Sequence, residues 1–585
     1  MREALVLSLS NKNLNNETNI LLGGEWVLEN HKIKKDKEYK IFKSKSSLKK
    51  YRRINSIDAD KIYQELCVDL SKELNILHSV NLSVKSWKII FGSWLKIFVN
   101  ICYERSFLIS DIINSHKISK IYGTKNENFQ FYSNGTLEQR FQAADYSWNN
   151  NLFFEIINFF DFQCEKDFSI ETTNNHQDFK ESLFTTTSKS NEYKKKLIKI
   201  FNFLKFFRKK NDALITKTGL LFPYEKLFEI LFFQFPQNYE KKTINYKIYD
   251  RSQRKKLNLP YGDEKNVRNF VRKNLVKFLP ICFVENFKEI FNNCEKEFPK
   301  NPKFIMTAFS WEYDVNFKFY AAKKVNENIP YFLFQHGNTY FTDDFVFNRP
   351  EYETAKKFFS FGYCKKKFSK GFCNHLTLGK KIKSKKNGLL HLVSPFLPGR
   401  IFPYEQSIET IDSFKNIYNF EKKISDNLRK KILLRSTREF LETNRGKWYA
   451  DKYFINFEKK QIDYGSNDYN ENLKNSRINL FFYDSSGILD NFIYNIPTIG
   501  VWNNLYNHIE EEFVDKYKLL KDANIIFDSV DESIVHLNNI WDDVESWWFS
   551  EKTQRNINLF NSNFNNKGSI ISLFKLRKYV KSNIY

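Results

Sequence analysis

Short apolar runs and helical patterns alternate through the second half of the chain. Just after its middle, Lys303–Phe309 and Ile329–Phe334 have the apolar and aromatic composition of strands. Glu312–Asn326 between them has apolar residues at helical spacing. Two short strands that are connected through a helix are expected to be parallel, with a right-handed crossover.

Further runs of strand length follow. They are separated by helical or polar segments and lie at Phe358–Tyr363, Leu389–Ser394, Lys431–Ser436, Ile478–Tyr483 and Thr498–Trp502. This alternation is typical of a doubly wound parallel sheet with helices on both faces. We therefore predict an α/β fold.

The first half begins with two predicted strands, Glu3–Leu9 and Asn19–Leu22, and continues into segments of helical spacing. The second strand ends at Gly23, Gly24 and Glu25. Glycine permits a close approach between the backbone and a ligand. A tight turn into a helix that starts at Glu25 explains the same residues equally well.

A chain of 585 residues exceeds the size of one hydrophobic core, so two α/β domains are predicted. The boundary is placed in the charged stretch 294–302, just before the strands of the second half. Residues 1–295 are predicted to form an N-terminal α/β domain with added helices. Residues 296–585 are predicted to form a Rossmann-like domain.

Polar groups lie at the ends of two of the predicted strands, at the edge where open α/β sheets bind ligands. Gln335, His336 and Gly337 follow the first, and histidine can act there as base, acid or phosphate donor. The cluster Arg435-Ser436-Thr437-Arg438 follows Lys431–Leu434, the apolar part of the second, and the planar guanidinium of arginine fits phosphate or carboxylate oxygens. A histidine satisfied by backbone and an exposed arginine cluster are the structural alternatives.

A third polar turn opens a predicted helix. Asp484, Ser485, Ser486 and Gly487 follow an apolar strand and precede a helical pattern. Free backbone N–H groups at a helix N-terminus bind anions, and the two hydroxyls would add donors. An ordinary N-cap by Asp484 or Ser485 explains the turn without a ligand.

The chain is strongly basic, with 93 Lys and Arg against 68 Asp and Glu and a net charge of +25. Such a charge favours phosphorylated substrates, polyanions or an anionic membrane surface. The densest cluster is His31–Arg53, with 11 Lys or Arg. It is either an exposed basic loop or a segment that is attracted to a membrane.

The sequence lacks the features of several classes of protein, namely disulfide-linked, secreted and membrane-spanning proteins and some common enzyme families. The seven cysteines are scattered and include no CxxC, which predicts reduced thiols in a cytoplasmic protein. We predict no signal peptide, and the richest apolar stretch, Trp87–Cys102, is interrupted by Lys88 and Lys96. Phosphate loops of the GxxxxGK[ST] and GxGxxG types, GxSxG and HExxH are absent.

No metal or cofactor is predicted. Asp58-Ala59-Asp60 resembles the DxD of metal-dependent sugar transferases. It lies at the start of an amphipathic pattern, however, where acidic residues suit the helix dipole.

Several motifs together resemble a family of bacterial transferases that is associated with surface-polysaccharide gene clusters. They are LLGGEW (21–26), AFSWEYDVNFKFYAAKK (308–324), IPYFLFQHGNTY (329–340), YDSSGILDNFIYNIPTIGVW (483–502) and the pair Trp547–Trp548. The similarity extends over nearly the whole chain in the same order. The family's serine-threonine turn with a helix glutamate appears here as Ser485-Ser486 with Asp490, whose carboxylate is shorter.

The resemblance implies a metal-independent glycosyltransferase of GT-B-like architecture. Two Rossmann-type domains would face each other across a cleft, with the nucleotide-sugar donor in the C-terminal domain and the acceptor on the N-terminal side. The serine pair is also similar to the one by which some sialyl- and Kdo-type transferases hold CMP donors.

The resemblance also assigns roles. Ser485, Ser486 and Arg435 would hold the donor phosphates, with Gln335, Gly337 and Asp490 beside them. His336 would be the acid or base, and Glu25 the base on the acceptor side. The remaining cleft residues would be Gly23, Gly24, Trp311, Glu312 and Asp314.

The leading hypothesis is sugar transfer to a surface-glycan acceptor of the O-antigen or capsule type, or to its lipid-linked precursor. The protein would act in the cytoplasm, with peripheral contact to the anionic inner membrane. A nucleotide-sugar epimerase or hydrolase is one alternative, and a basic membrane- or nucleic-acid-binding protein is another. No nucleic acid is expected, because no aromatic-basic recognition motif is present.

Overall fold

The computed structural model describes residues 2–8, 14, 17–30, 38–45, 48–171, 207, 209–239, 244–338, 340, 349–364, 369–397 and 407–584. Within these ranges the chain forms three sheets. All paired strands are parallel. The predicted α/β class is therefore confirmed.

The N-terminal sheet has the strand order β3-β2-β1-β4-β5. Its strands are β1 (Glu3–Val6), β2 (Ile20–Leu22), β3 (Tyr39–Ile41), β4 (Ile118–Lys125) and β5 (Glu165–Ile170). Its segment contains α1 (Trp26–Asn30), α2 (Lys49–His78), α3 (Val84–Ser115), α4 (Thr136–Gln142) and α5 (Tyr146–Phe160). The long helices α2 and α3 confirm the predicted helical segments, and Trp87–Cys102 lies within α3.

The middle sheet has the sequential order β10-β9-β8-β7-β6. Its strands are β6 (Leu214–Ile215), β7 (Ile305–Thr307), β8 (Tyr331–Phe334), β9 (Lys357–Ser360) and β10 (Ser369–Gly371). Its helices are α6 (Phe222–Leu231), α7 (Arg251–Arg254), α8 (Val267–Phe278), α9 (Phe287–Asn293), α10 (Ser310–Tyr313), α11 (Val315–Asn326) and α12 (Arg349–Thr354).

The C-terminal sheet has the order β13-β12-β11-β14-β15-β16. Its strands are β11 (Leu389–Val393), β12 (Ile432–Arg435), β13 (Ile462–Asp463), β14 (Ser476–Phe481), β15 (Thr498–Val501) and β16 (Ile526–Phe527). The helices of this part are α13 (Ser407–Lys423), α14 (Asp426–Arg429), α15 (Glu439–Glu442), α16 (Asn444–Tyr453), α17 (Tyr469–Asn475), α18 (Ser486–Tyr494), α19 (Val514–Asp522), α20 (Val530–Ile540), α21 (Val544–Trp548), α22 (Glu551–Phe564) and α23 (Ile570–Lys581).

The strand series of the second half does not form one sheet, and that prediction was wrong. β7, β8 and β9 belong to the middle sheet, whereas β11, β12, β14 and β15 belong to the C-terminal sheet. Strands that are buried on both faces are all short apolar runs. The pattern therefore marks each strand without indicating which sheet it joins.

The predicted boundary near residue 295 falls between β6 and β7. These two strands pair in the middle sheet, where Leu214 lies beside Ile305, so this sheet takes strands from both sides of the boundary. The division into 1–295 and 296–585 and the GT-B-like arrangement of two facing domains stay predictions.

Alternate residues of the middle sheet face two different cores. Ile305 and Leu333 contribute to a large core with α2 and α3. Met306 and Phe332 contribute to a second core on the other face, which also contains Leu573 of α23. Thus α23 follows the C-terminal sheet in sequence but packs on the middle sheet.

The acidic pair of the DxD-like motif makes ion pairs within the helical layer. Asp60 contacts Lys96 Nζ at 2.5 Å, and Asp58 contacts Lys61 Nζ at 2.9 Å. Among the described residues, no group of three or more His, Cys, Asp or Glu side chains is arranged to hold a metal ion.

Of the helices in the described ranges, none combines the length and apolar character needed to cross a lipid bilayer.

Candidate functional site

The C-terminal sheet has a topological switch point between β11 and β14. The chain proceeds from β11 outward to β12 and β13 and then crosses to β14, β15 and β16. In open parallel sheets, a crevice forms at the carboxyl ends of the strands at such a point.

A cavity of about 230 Å³ lies at this switch point. It is bounded by the ends of β11, β12 and β14 and by the first residues of α17 and α18. The lining residues are Val393, Ser394, Phe396, Arg435, Ser436, Thr437, Tyr469, Phe481, Tyr483, Ser485, Gly487 and Asp490. The structure thus brings together Arg435, Ser485 and Asp490, three of the residues predicted to bind the donor.

The N-terminus of α18 borders the cavity. Ser485 is its N-cap, and the Ser485 hydroxyl accepts a hydrogen bond from the backbone N–H of Gly487 (3.2 Å). A Cβ atom at Gly487 would lie 2.7 Å from the Tyr469 hydroxyl and 2.8 Å from Cε1 of Phe481, so the first turn fits only glycine without rearrangement. The structure shows the N-cap that was one explanation of this turn. The cap leaves the positive end of the helix dipole at the cavity, so the predicted anion site is compatible with it and stays a prediction.

Arg435 is held in place by the loop after β13. Its guanidinium donates to Asp463 Oδ2 (2.7 Å) and to the carbonyl of Asn467 (3.1 Å), and it lies over the ring of Tyr469 at 5.5 Å. Hydrogen bonds from Asn472 and Ser466 lower the pKa of Asp463, although its burial opposes them. The anchored carboxylate fixes the guanidinium at the cavity wall.

Asp490 is the acidic residue of the lining. Burial raises its pKa to about 6, against the lowering effects of a hydrogen bond from Asn374 Nδ2 (3.0 Å) and of the Lys380 ammonium. Asn374 is itself buried and also donates to Asn565. Asp490 therefore keeps its proton to a higher pH than an ordinary aspartate does.

Hydroxyl groups form the rest of the polar wall. The Ser394 and Ser436 hydroxyls are 3.1 Å apart. The hydroxyls of Thr437 and Tyr469 are buried and have no hydrogen-bond partner among the described residues. A buried hydroxyl without a partner is unfavourable, so a ligand that accepts these hydrogen bonds would relieve that cost.

His336 lies at the carboxyl end of β8, in the middle sheet, and heads a chain of hydrogen bonds. The Tyr340 hydroxyl contacts Nδ1 of His336 and donates to Glu351 Oε1 (3.0 Å). Tyr352 in turn donates to the carbonyl of Tyr340 (2.6 Å). Glu351 is 1% exposed, and burial together with the charge of Glu312 raises its pKa well above the ordinary value.

The His336 turn and the α18 N-terminus meet directly. The backbone N–H of Asn338 donates to Ser486 Oγ (2.8 Å), and its side-chain amide donates to Asp484 Oδ1 (2.7 Å). The other oxygen of Asp484 is 2.7 Å from the Tyr517 hydroxyl and 3.0 Å from His508 Nε2. The carboxyl edges of the middle and C-terminal sheets are therefore in direct contact beside the cavity, although His336 is not among the lining residues.

Gln335 and Gly337 have structural contacts in this turn. Gln335 Nε2 donates to the carbonyl of Gly337 (2.8 Å), and its Oε1 accepts from the N–H of Phe361 (2.9 Å). A Cβ atom at Gly337 would lie 3.4 Å from Ser486 Oγ. Both residues shape the turn, and their predicted contact with the donor stays a prediction.

Glu25 lies outside the cavity lining, at the contact between the N-terminal and C-terminal parts. Its carboxylate is 3.6 Å from Lys415 Nζ, 3.7 Å from Lys452 Nζ and 3.4 Å from the Tyr453 hydroxyl. Its catalytic role stays a prediction, and these contacts give it no support.

The two glycines before Glu25 have a packing explanation. A Cβ atom at Gly24 would lie 1.7 Å from the Trp26 ring, and one at Gly23 would lie 2.8 Å from Leu7 Cδ2. Of the two explanations for this turn, the geometry favours the tight entry into a helix, α1.

The three remaining predicted cleft residues surround His336 or start α11. The Trp311 ring is 6.1 Å from the His336 ring, and its Nε1 donates to the carbonyl of Ala308 (2.9 Å). The carbonyl of Glu312 accepts from the Thr136 hydroxyl (3.1 Å). Asp314 is the N-cap of α11, where it accepts from the N–H of Phe317 (3.2 Å).

Sequence reasoning missed several residues of the site. Ser394 ends a predicted strand, and Thr437 belongs to the cluster that follows another, but as common loop residues they were given no role of their own. Tyr340 and Glu351 follow the His336 turn, and only their burial in three dimensions relates them to it. Tyr469 follows the short β13, which we did not predict.

Comparison with known proteins gives a family assignment. No curated protein matches the chain. The family model described as "LIC12162 family transferase" matches residues 3–573. Because this match covers nearly the whole sequence, the chain belongs to the LIC12162 family of transferases.

Proposed function

We propose that the protein is a glycosyltransferase that moves a sugar from a nucleotide-activated donor to a surface-glycan acceptor or its lipid-linked precursor. The observation that carries the proposal is the cavity at the switch point of the C-terminal sheet. Its wall contains a helix N-terminus, an anchored arginine and two buried hydroxyls that have no hydrogen-bond partner in the described part of the chain. Membership of a transferase family agrees with it.

The donor phosphates would lie between the N-terminus of α18 and Arg435. The first-turn N–H groups and the helix dipole favour an anion there by about 0.3–1 kcal/mol, and up to about 2 kcal/mol when the site is partly buried. The hydroxyls of Thr437 and Tyr469 are additional donors for a phosphate or ribose oxygen.

His336 would act on the acceptor beside this site. Because the Tyr340 hydroxyl donates to Glu351, its oxygen would accept a hydrogen bond from the Nδ1–H of His336. Nε2 is then the nitrogen that can take the proton of an acceptor hydroxyl as it attacks the sugar. Tyr340 and Glu351 act in this scheme as positioning residues.

Thr437→Val tests the donor site. Removing a hydroxyl that has no partner leaves the stability of the free protein unchanged or slightly higher. The same change removes a hydrogen bond to an anionic ligand, which contributes about 1.5–3 kcal/mol, so nucleotide affinity falls about tenfold to a hundredfold. The measurement is a thermal-shift titration with CMP, UDP, GDP and dTDP, because a ligand of the folded state raises the melting temperature.

Ser106→Ala is the matched control, since the Ser106 hydroxyl is also buried and lacks a partner within the described ranges, but lies in α3 and not in the cavity lining. It leaves the nucleotide shift at the wild-type value. The proposal fails if none of the four nucleotides stabilises the wild type, or if Thr437→Val and Ser106→Ala respond alike. Turnover of a nucleotide-sugar without any acceptor would instead indicate a hydrolase or epimerase.

A further inference from the structure

Helices α6 and α23 pack together on one face of the middle sheet and leave large apolar side chains exposed. Their exposed fractions are 51% for Ile230, 80% for Phe233, 49% for Ile570, 60% for Ile571 and 49% for Phe574. With the neighbouring Lys575, Arg577, Lys578 and Lys581, we call these residues the α6–α23 surface.

The apolar and basic residues of α23 share one side of the helix. Ile570, Phe574, Lys578 and Lys581 recur at intervals of four, four and three residues, which places them on one stripe. Leu573, Leu576 and Val580 form the opposite, buried stripe. The helix therefore has a face that anchors it to the sheet and a separate amphipathic face toward solvent.

Phe233 is the most exposed residue of this surface, and its backbone is strained. Its φ of 59° lies in the left-handed region, which bulky residues rarely adopt. The side chains of Arg577 and Lys581 lie over its ring, with the guanidinium carbon and Nζ at 5.3 and 5.4 Å from its centre. A strained turn thus presents an aromatic ring to solvent between two cations.

The charge around this surface has a single sign. From Lys552 to Tyr585 the sequence contains Lys552, Arg555, Lys567, Lys575, Arg577, Lys578 and Lys581, and no Asp or Glu. The two acids of α6 are engaged elsewhere: Glu225 accepts from the Thr218 hydroxyl (2.7 Å), and Glu229 is buried against Lys226.

We propose that the α6–α23 surface docks the protein on an anionic lipid bilayer. Apolar side chains that project from a basic surface enter the headgroup region, while lysines contact anionic lipids. A second copy of the chain is disfavoured as the occupant, because it would present the same positive surface. The surface is separate from the basic stretch His31–Arg53, part of which lies outside the described residues.

Vesicle flotation tests the proposal without any substrate, so its outcome is independent of the proposed transferase activity. Vesicles of phosphatidylcholine alone are compared with vesicles that contain 30% phosphatidylglycerol, at low and high salt. We expect the wild type to bind the anionic vesicles at least tenfold more strongly, and added salt to reduce this preference. Phe233→Ser with Phe574→Ser lowers the binding to anionic vesicles about tenfold or more, because both rings leave the interface.

Ile455→Ser with Val535→Ser is the matched control, since these residues are 68% and 61% exposed on other elements. This variant binds like the wild type. Lys575→Gln with Lys578→Gln separates the electrostatic contribution to vesicle binding from the apolar one. In this variant, binding to anionic vesicles falls about tenfold at low salt and little at high salt.

Three outcomes would overturn the proposal. The first is that the wild type does not bind anionic vesicles. The second is that Phe233→Ser with Phe574→Ser and the control variant lose vesicle binding equally. The third is that the phenylalanine variant loses self-association and keeps vesicle binding. Sedimentation velocity measures the self-association, and thermal unfolding confirms that each variant is folded.

Discussion

Asp490 couples the charge of the cavity to pH. Its pKa is raised to about 6 by burial, so the folded protein favours the protonated acid. The stability that this group contributes is present below about pH 4, the ordinary pKa of aspartate, and is lost as the pH rises through 6. Below pH 6 the neutral acid also repels a bound phosphate less than the carboxylate does.

Asp490→Asn should remove this contribution to the pH dependence of stability. Between pH 4 and 7 the wild type loses up to about 3 kcal/mol of unfolding free energy relative to the variant, whose amide oxygen still accepts from Asn374. Urea denaturation at pH 4, 5, 6 and 7 measures the difference. Asp542→Asn, at an exposed acid, is the control, and parallel curves for the wild type and Asp490→Asn would contradict the expectation.

Among single residues, the sequence pointed to those whose chemistry is distinctive. Arg435, Ser485 and Asp490 line the cavity, because each follows or opens an element at the carboxyl edge of a parallel sheet. Thr437 and Tyr469 could not be singled out, since their importance lies in a missing partner that only packing shows. For Gly24 the sequence left a ligand-binding turn and a tight helix entry open, and the contact with the Trp26 ring favours the second.

Among the elements, strands with apolar runs were predicted close to their observed ends, and several short or polar strands were missed. β8 and β15 lie within the predicted runs Ile329–Phe334 and Thr498–Trp502. β13 and β16 have two residues each, and β4 has mostly half-buried positions. Strands of this kind are defined by the neighbour to which they pair, and local sequence carries little of that information.

A buried ion pair connects the short α7 to the segment before α9. Arg254 donates to both oxygens of Glu285 (2.7 and 2.9 Å) and to the carbonyl of Leu279 (2.7 Å), and both side chains of the pair are 2% exposed. Glu285→Ala leaves this guanidinium buried without its partner. We expect a loss of about 3–5 kcal/mol in unfolding free energy, measured by urea denaturation.

Glu471→Ala is the comparison for this change. Glu471 pairs with Lys474, but these side chains are 56% and 49% exposed, so its loss costs less than about 1 kcal/mol. Arg254→Met combined with Glu285→Leu should recover most of the stability, because no buried charge is then left alone. Equal costs for Glu285→Ala and Glu471→Ala would contradict this account.

Across the whole molecule, the N-terminal part docks on the C-terminal part through α1. Glu29 is buried, and its carboxylate accepts from Arg445 Nε (3.0 Å) and from the Tyr449 hydroxyl (2.9 Å), both in α16. This contact spans more than 400 residues of sequence, so no local pattern could have indicated it. The contact between the His336 turn and the N-terminus of α18 is also a long-range one, since these two segments belong to different sheets.

Glu29→Gln should loosen this contact, because the neutral amide removes the carboxylate charge that pairs with the buried Arg445 guanidinium. We expect faster hydrogen–deuterium exchange in α1 and α16, measured by mass spectrometry, with little change in the middle sheet. Glu38→Gln, at an exposed acid, serves as the control. Unchanged exchange in both helices would show that apolar packing alone holds the two parts together.

The position of α23 on the middle sheet also affects how the protein is made. Leu573, Leu576 and Val580 pack in the same core as Met306, Phe332 and Phe359. During translation the strands of the middle sheet emerge from the ribosome before residues 570–581 have been synthesised. The apolar face that α23 later covers is therefore exposed to solvent while the C-terminal sheet is being made. This interval is when the growing polypeptide most needs a chaperone.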